Sequence, residues 1–482
     1  MLDVRPVGYV IGLLLLALGG SMALPMIADI VAGNGEWPVF VEAGTITLLI
    51  GMCLSLATSN AVPERLSRQQ TFLLTTCVWL MLPVFAALPL MIGATQLSYT
   101  DAFFEAMSGL TTTGSTVVTG LDALPEGILL WRGLLQWFGG IGIVVVAMVF
   151  LPELRVGGMQ IFRSEAFDTG GKVLPRAAEI ASTISTIYLA ITVACGLAYR
   201  AAGMDPFDAI VHSMTTVSTG GFANYDASFE RFQGPIEYIA TLFMLIAASP
   251  FVLYVQMVNG NGKPLLTNSQ LRAFLGTVVV LVGVTAATLM LVDGYHPEQA
   301  IREAMFNIAS ILTGTGYASV DYMLWGGFII ALFFFCGLIG GCAGSTSCSV
   351  KIFRYQILFA AMKAELQRVH SPHGIFRPRY EGRPVGTDVL SSVMAFFVLF
   401  VVTLGVFAVL LAMTGLDFVT SISGAATAIA NIGPGLGDII GPAGNFSMLG
   451  DTAKWLLAAA MLIGRLELVV VYVLFTRRFW RG

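Results

Sequence analysis

Four short runs of glycine and small polar residues carry the most specific chemistry in this sequence. They are Thr111, Thr112, Thr113, Gly114; Val217, Ser218, Thr219, Gly220; Thr313, Gly314, Thr315, Gly316; and Ala430, Asn431, Ile432, Gly433. Glycine tolerates positive φ, so successive carbonyl oxygens can turn toward one axis. Four such runs around an axis make a ring of main-chain oxygens able to replace a cation's hydration shell. The candidate cation ligands are therefore Thr112, Thr113, Gly114, Ser218, Thr219, Gly220, Gly314, Thr315, Gly316, Asn431, Ile432 and Gly433. Any one run alone reads equally well as a loop turn, since 53 glycines are spread along the chain. Four in register do not.

Each run closes a moderately apolar stretch too short to cross a bilayer, at residues 101–115, 205–221, 302–317 and 417–435. Registered on the final glycines, all four begin polar or acidic and continue through about three helical turns of small and apolar residues. A half-helix that stops inside a membrane leaves its last carbonyls unsatisfied, so the irregular segment after it must line water. Its negative dipole end favours a cation at that point. Asp101, Glu105, Asp205, Asp208, Glu303 and Asp417 fall near the positive N-terminal ends, where carboxylates are favourable. There they are also expected to draw cations to the outer mouth.

The elements around these runs are apolar throughout. Of 482 residues, 56% are hydrophobic and 11% charged, with a mean hydropathy of +0.82, which excludes a soluble globular class. About ten stretches are long enough to span, near residues 7–26, 40–57, 71–93, 128–151, 180–199, 236–258, 273–292, 324–349, 390–413 and 455–475. The first is too long for a signal-peptide apolar region and is read as retained rather than cleaved near Ala32. The expected fold is an all-α polytopic membrane protein of four diverged helix, pore-helix, filter, helix repeats around a central pore, preceded by two extra transmembrane helices. The expected divisions are 1–70 for the two N-terminal helices, 71–176 for repeat 1, 177–266 for repeat 2, 267–386 for repeat 3 and 387–482 for repeat 4.

Most of the 25 Lys and Arg fall on one side if Met1 is cytoplasmic, including Arg65, Arg155, Arg163, Lys172, Arg176, Lys351, Arg354 and Arg477. Both termini are then expected inside. Arg132, Arg200, Arg231, Arg302 and Lys454 fall outside, the last, with Asp451, read as solvated. The six cysteines show no metal-ligand spacing with histidine and read as small core residues. His212 reads as a packed, hydrogen-bonded core histidine. A net charge of −4 implies no partner by itself; the locally basic inner face suits anionic lipid or an acidic protein surface, and the segment 354–383 is long enough to dock one.

Two features interrupt the later spans. The run Gly337 to Ser349 (GLIGGCAGSTSCS) is too rich in glycine and serine for a good helix interior and is expected to unwind into the pore. Close small-residue packing between helices is the alternative. Arg465 lies near the middle of the last span, where a charge needs water or a partner, so it is expected to face the cavity. Glu467, two residues on, points to another face.

In the motifs TTTGST at 111–116, VSTGGFAN at 217–224, LTGTGY at 312–317 and NIGPGLG at 431–437, the chain resembles the TrkH/KtrB/HKT superfamily of cation transporters over almost its whole length. The two extra N-terminal helices place it nearer the TrkH/TrkG potassium transporter family than KtrB. The resemblance implies a potassium uptake protein of the bacterial inner membrane, multi-pass, a homodimer with one pore per subunit, working with a cytoplasmic nucleotide-binding regulator of the TrkA type. It also implies that glycine at all four filter positions favours potassium, serine at the first being associated in the family with sodium. The family has an intramembrane loop that obstructs the path and must move, which assigns the gate to Gly340, Gly341, Cys342, Ala343, Gly344 and Ser345. Lys351 matches a family lysine, and Arg465 a family arginine acting as a positive barrier. The family often has glycine where this chain has Cys348 and Ser349.

Three function classes compete. A gated pore passes potassium down its gradient, with a less selective potassium/sodium pore as a variant. A symporter coupled to protons or sodium needs a titrating intramembrane carboxylate, and only Glu467 is so placed. An enzyme finds no support, because the sequence lacks a zinc-protease motif, a usable nucleophile elbow and a phosphate-binding glycine loop. Potassium is expected as the transported ion, with no organic cofactor and no nucleic-acid partner.

Overall fold

The computed structural model of the chain describes residues 2–61, 66–150, 154, 157–159 and 173–481. Arg65, Arg155, Arg163 and Lys172, part of the expected cytoplasmic basic set, lie outside the described residues. The protein is an all-α polytopic membrane protein. Among the described residues seven helices are long and apolar enough to cross a bilayer: Arg5–Ala32, Trp37–Thr58, Arg68–Ile92, Glu126–Met148, Ala181–Ala201, Ser269–Leu291 and Thr387–Ala412. Each coincides with a span expected from the sequence. The first two pack closely through small residues: a Cβ on Gly12 would lie 2.7 Å from the Ser55 nitrogen, and one on Gly19 would lie 2.9 Å from the Leu48 side chain.

The remaining three expected spans are broken, which the hydropathy pattern does not reveal. Residues 236–258 form two helices, Pro235–Ala247 and Phe251–Val258, bent by 88° across Ser249 and Pro250. Proline lacks the N–H that would continue the ladder, so the turn falls there. The helix Gly327–Ile339 stops at Gly340 (φ 78°), and helix resumes only at Ile352. The last expected span divides into Asp451–Arg465 and Val469–Leu474, with Glu467 and Leu468 in the left-handed region between them. Breaks of this kind are tolerated at membrane depth only where other protein groups satisfy the freed backbone.

Four short helices fill loops between the spans: Tyr99–Leu110, Pro206–Val217, Pro297–Thr313 and Phe418–Ala430. Their starts are encoded locally. The Ser98 hydroxyl accepts from the Asp101 N–H, Asp205 from the Phe207 N–H and Asp417 from the Thr420 N–H, and the third helix opens on Pro297. These bonds from Thr420 hold the exposed Asp417 carboxyl below the usual carboxylate range. The helices are almost wholly buried beyond their first turns, so their carbonyl ends lie in the interior. On the basic face, Ile352–His370 leads to a two-stranded antiparallel turn pairing Arg379–Tyr380 with Arg383–Pro384.

Candidate functional site

The four short helices end in one shared backbone pattern. The N–H groups of Thr112, Thr219, Gly314 and Asn431 each donate three residues back, to the carbonyls of Gly109, Thr216, Ile311 and Ala428. All four residues have positive φ, at 51°, 51°, 80° and 53°. The next residue in three segments, Thr113, Gly220 and Ile432, donates five back, to Ser108, Thr215 and Thr427. Helix winding thus ends in a left-handed turn that swings the following carbonyls away from the helix axis.

This register makes Gly114, Gly221, Gly316 and Gly433 equivalent. Registering VSTGGF on its first glycine, as the sequence suggests, is off by one residue, because two adjacent glycines give the pattern no means of choosing. Gly220 has no positive φ, and a Cβ there would press on the Gln136 amide, whereas Gly221 (φ 76°) repeats the conformations of Gly114 (86°) and Gly316 (82°). The four segments touch in cyclic order at these glycines. A Cβ on Gly114 would overlap the Gly220 carbonyl oxygen, one on Gly221 the Thr315 carbonyl, one on Gly316 would lie 2.6 Å from the Gly433 nitrogen, and one on Gly433 would lie 3.1 Å from the Gly114 oxygen. At Gly114, Gly221 and Gly316 a side chain would require the facing main chain to move; at Gly433 the contact is only tight. All four also border a single cavity of about 720 Å³ that opens between the segments.

Hydrogen bonds behind the ring hold it in shape. Gln136 donates to the Gly220 carbonyl at 2.6 Å and accepts from the Phe222 N–H at 3.0 Å. The Ser115 hydroxyl donates to the Gly433 carbonyl at 2.8 Å, and the Asn431 amide donates to Thr113 Oγ1 at 2.9 Å, so the fourth segment is tied to the first. Thr111 pairs with Thr113 and Thr313 with Thr315, each at 2.8 Å, and Tyr317 bonds Thr216 at 3.2 Å. His212 is buried as expected, its Nδ1 2.9 Å from the Asp208 carbonyl and its ring edge-on to Phe229 and Phe232.

Several acids expected at the mouth are structural instead. Glu105 is fully buried, accepting from Arg132 Nε at 2.8 Å, from Thr116 and from the Val117 N–H. Arg132 in turn donates to the Ala223 carbonyl at 2.9 Å and lies over the Phe222 ring, so this pair joins the first pore helix to the segment following the second filter run. Asp208 receives Asn224 and Tyr225, and Asp101 receives Lys454 at 2.5 Å. Lys454 is thus buried and paired, not solvated. Charge needs a partner once desolvated, which sequence position alone does not disclose. The acids that do line the 720 Å³ cavity are Asp226 and Asp438.

Below the ring, residues 340–351 form the irregular loop expected from the glycine-serine run. Its backbone is completed by the bent helix pair: Cys342 N–H donates to Ala248 O at 3.0 Å, Thr346 N–H to Ala247 O at 3.3 Å, and Phe251 N–H to Gly344 O at 2.9 Å. Ala343 N–H donates to the Gln270 side chain. Thr346 Oγ1 lies 3.1 Å from Thr219 Oγ1, directly under the second glycine-ended run. Gly340, Gly341, Cys342, Ala343 and Ser345 are buried and Gly344 half-buried.

Arg465 does not look into an open cavity. It is buried against the loop, donating to the Thr346 carbonyl at 3.4 Å, to Cys348 Sγ at 2.7 Å and to the Gly139 carbonyl at 2.9 Å, with its guanidinium 5.5 Å from the Trp79 ring centre. Glu467 pairs elsewhere, with Lys351 at 2.9 Å and with Arg354, so the arginine has no carboxylate partner here. Lys351 (φ 74°) sits where the loop re-enters helix.

Residues 36–481 match the model of a family described as TrkH, cation transport protein. The chain is 43% identical over 479 residues to the Trk system potassium uptake protein TrkI of Halomonas elongata, covering 99% of this chain and 97% of that protein. It is 36% identical to the Trk system potassium uptake protein TrkH of Escherichia coli K12, covering 99% of both. The crystal structure of the potassium transporter TrkH from Vibrio parahaemolyticus superposes with a TM-score of 0.92 at 34% identity, over 99% of this chain and all of that one.

Proposed function

Because the chain belongs to the TrkH family of cation transport proteins, a family of transporters rather than enzymes, we propose that it takes up potassium across the bacterial inner membrane through a gated, channel-like pore. The observation that carries this reading is the cyclic contact of the four filter segments, with Gly114, Gly221, Gly316 and Gly433 all bordering one 720 Å³ cavity. Carbonyls of Thr112, Thr113, Gly114, Thr219, Gly220, Gly221, Gly314, Thr315, Gly316, Asn431, Ile432 and Gly433 are then the groups that replace water around the ion. Ser218, where the helix ends one residue earlier, supports Thr219 rather than coordinating.

The loop 340–351 is the gate in this reading, closed because it fills the space beneath Thr219 and is pinned by Arg465. A pore is favoured over coupled symport by the state of Glu467. Both carboxylate oxygens of Glu467 are taken by Lys351 and Arg354, which leaves them no free position for a second ion. Both termini are cytoplasmic in this assignment, the four repeats divide near residues 71, 177, 267 and 387, and the molecule works as a homodimer. The exposed basic residues Lys363, Arg368, Arg377 and Arg379 supply a docking face for a nucleotide-binding regulator of the TrkA type.

The test is cation flux into proteoliposomes, comparing K⁺, Rb⁺, Na⁺ and Li⁺ for the parent and Gly114→Ser. The parent is expected to favour K⁺ and Rb⁺, and the variant to lose that preference. Potassium flux that survives with selectivity intact would remove the glycine ring from the filter.

A further inference from the structure

An apolar groove of about 430 Å³ opens between three spanning helices, Arg5–Ala32, Arg68–Ile92 and Glu126–Met148. Its walls are Leu14, Leu18, Val78, Leu82, Phe138 and Val145. The exposed Leu13, Leu80 and Met81 lie beside it on the outer surface of the same helices. Its floor is formed by Leu110, Trp79 and Gly139, and each of these touches the conduction machinery. Leu110 is the last residue of the first pore helix, one before the filter run. Trp79 and the Gly139 carbonyl are two of the groups that hold Arg465.

Water finds little to bind there, because the lining is almost wholly apolar. The wall hydroxyl, on Thr75, donates to the Thr71 carbonyl at 2.8 Å. Apolar cavities of about 150 Å³ already stay dry and take up benzene. A groove nearly three times larger, at the depth of three bilayer-crossing helices, is bathed by hydrocarbon and by little else. We propose that this groove is a binding site for a single phospholipid acyl chain, inserted from the bilayer so that it lies against Trp79 and Gly139 behind the gate arginine. The site takes saturated or monounsaturated hydrocarbon of any headgroup, since no charged side chain lines it.

The experiment uses the full chain in liposomes whose phospholipids carry mid-chain bromines, which quench tryptophan on contact. The signal is the emission of the parent minus that of Trp79→Phe, which isolates Trp79 among the 7 tryptophans. In brominated lipid this component is expected to be lost relative to unbrominated lipid. Gly142→Leu fills the groove from within, its Cβ lying 3.7 Å from the Trp79 ring. Ala17→Leu, on an exposed position at the rim, does the same with no buried change. Either variant is expected to restore the Trp79 emission. Unquenched Trp79 in the parent overturns the site, and so does quenching that both filling variants leave unchanged, because that reports bulk lipid. The readout involves no transport, so its failure leaves the pore assignment standing and the reverse also holds.

Discussion

Gly221→Ala separates the structural register of the second filter segment from the one read on Gly220. Gly221 sits at φ 76°, where an L side chain costs about 1–2 kcal/mol. Its new Cβ would also overlap the Thr315 carbonyl oxygen and lie 2.8 Å from the Thr315 carbonyl carbon, so the third segment must move off the axis. The strain alone lowers the population of the native ring by roughly 5- to 30-fold, and the displaced Thr315 oxygen is lost as a ligand. Gly220→Ala needs no left-handed backbone and presses on no main chain, only on the Gln136 side chain, whose bonds to the Gly220 carbonyl and the Phe222 N–H it would disturb. Rubidium uptake into proteoliposomes at matched protein density, with sodium as competitor, is the assay. Gly221→Ala is expected to reduce uptake about tenfold or more and to admit sodium, with Gly220→Ala closer to the parent. A Gly220→Ala variant that loses selectivity while Gly221→Ala keeps it would refute the register.

Three further outcomes follow from the same geometry. Arg465→Ala removes the donors to Thr346, Cys348 and Gly139; at about 1.5–3 kcal/mol per charged hydrogen bond, closed-state occupancy falls and regulator-independent rubidium flux rises tenfold or more. Gln136→Leu leaves the Gly220 carbonyl and Phe222 N–H without their side-chain partner, at about 1–3 kcal/mol each; sodium competition is expected to strengthen while size-exclusion profiles stay those of the parent. Glu467→Gln leaves Lys351 and Arg354 facing an amide, a loss of about 3–5 kcal/mol; the melting temperature in detergent drops, and Lys351→Met added to it recovers part of the drop.

The spans and pore helices were legible because hydropathy and helix starts are local properties. Seven helices fall where apolar runs predict them, and Ser98, Asp205 and Asp417 cap where their types suggest. What stayed hidden depends on partners distant in sequence. Glu105 looks like a mouth carboxylate until Arg132 is placed against it, and Lys454 looks solvated until Asp101 closes on it. Gln136 carried no signal beyond a polar residue in an apolar span, although such a residue is expensive there and invites the question of what it bonds. The paired glycines at 220 and 221 were ambiguous for a reason internal to glycine: neither can be excluded from a left-handed position by its side chain.

Two of the three breaks in the later spans have a common cause. The bend at Ser249 and Pro250 frees Ala247 O, Ala248 O and Phe251 N–H, and the irregular loop frees Thr346 N–H, Cys342 N–H and Gly344 O; each set satisfies the other. Neither element can stand alone at that depth, since an unpaired backbone group in hydrocarbon costs several kcal/mol. If the loop withdraws to open the pore, the groups it leaves on the bent helix must find water. If the loop is the proposed gate, its closed position and a dry path are one state, and entry of the water that rehydrates a departing ion is a condition of opening as well as a consequence of it. Arg465 fits this coupling, because its bonds to Thr346 and Gly139 span the place that water would occupy.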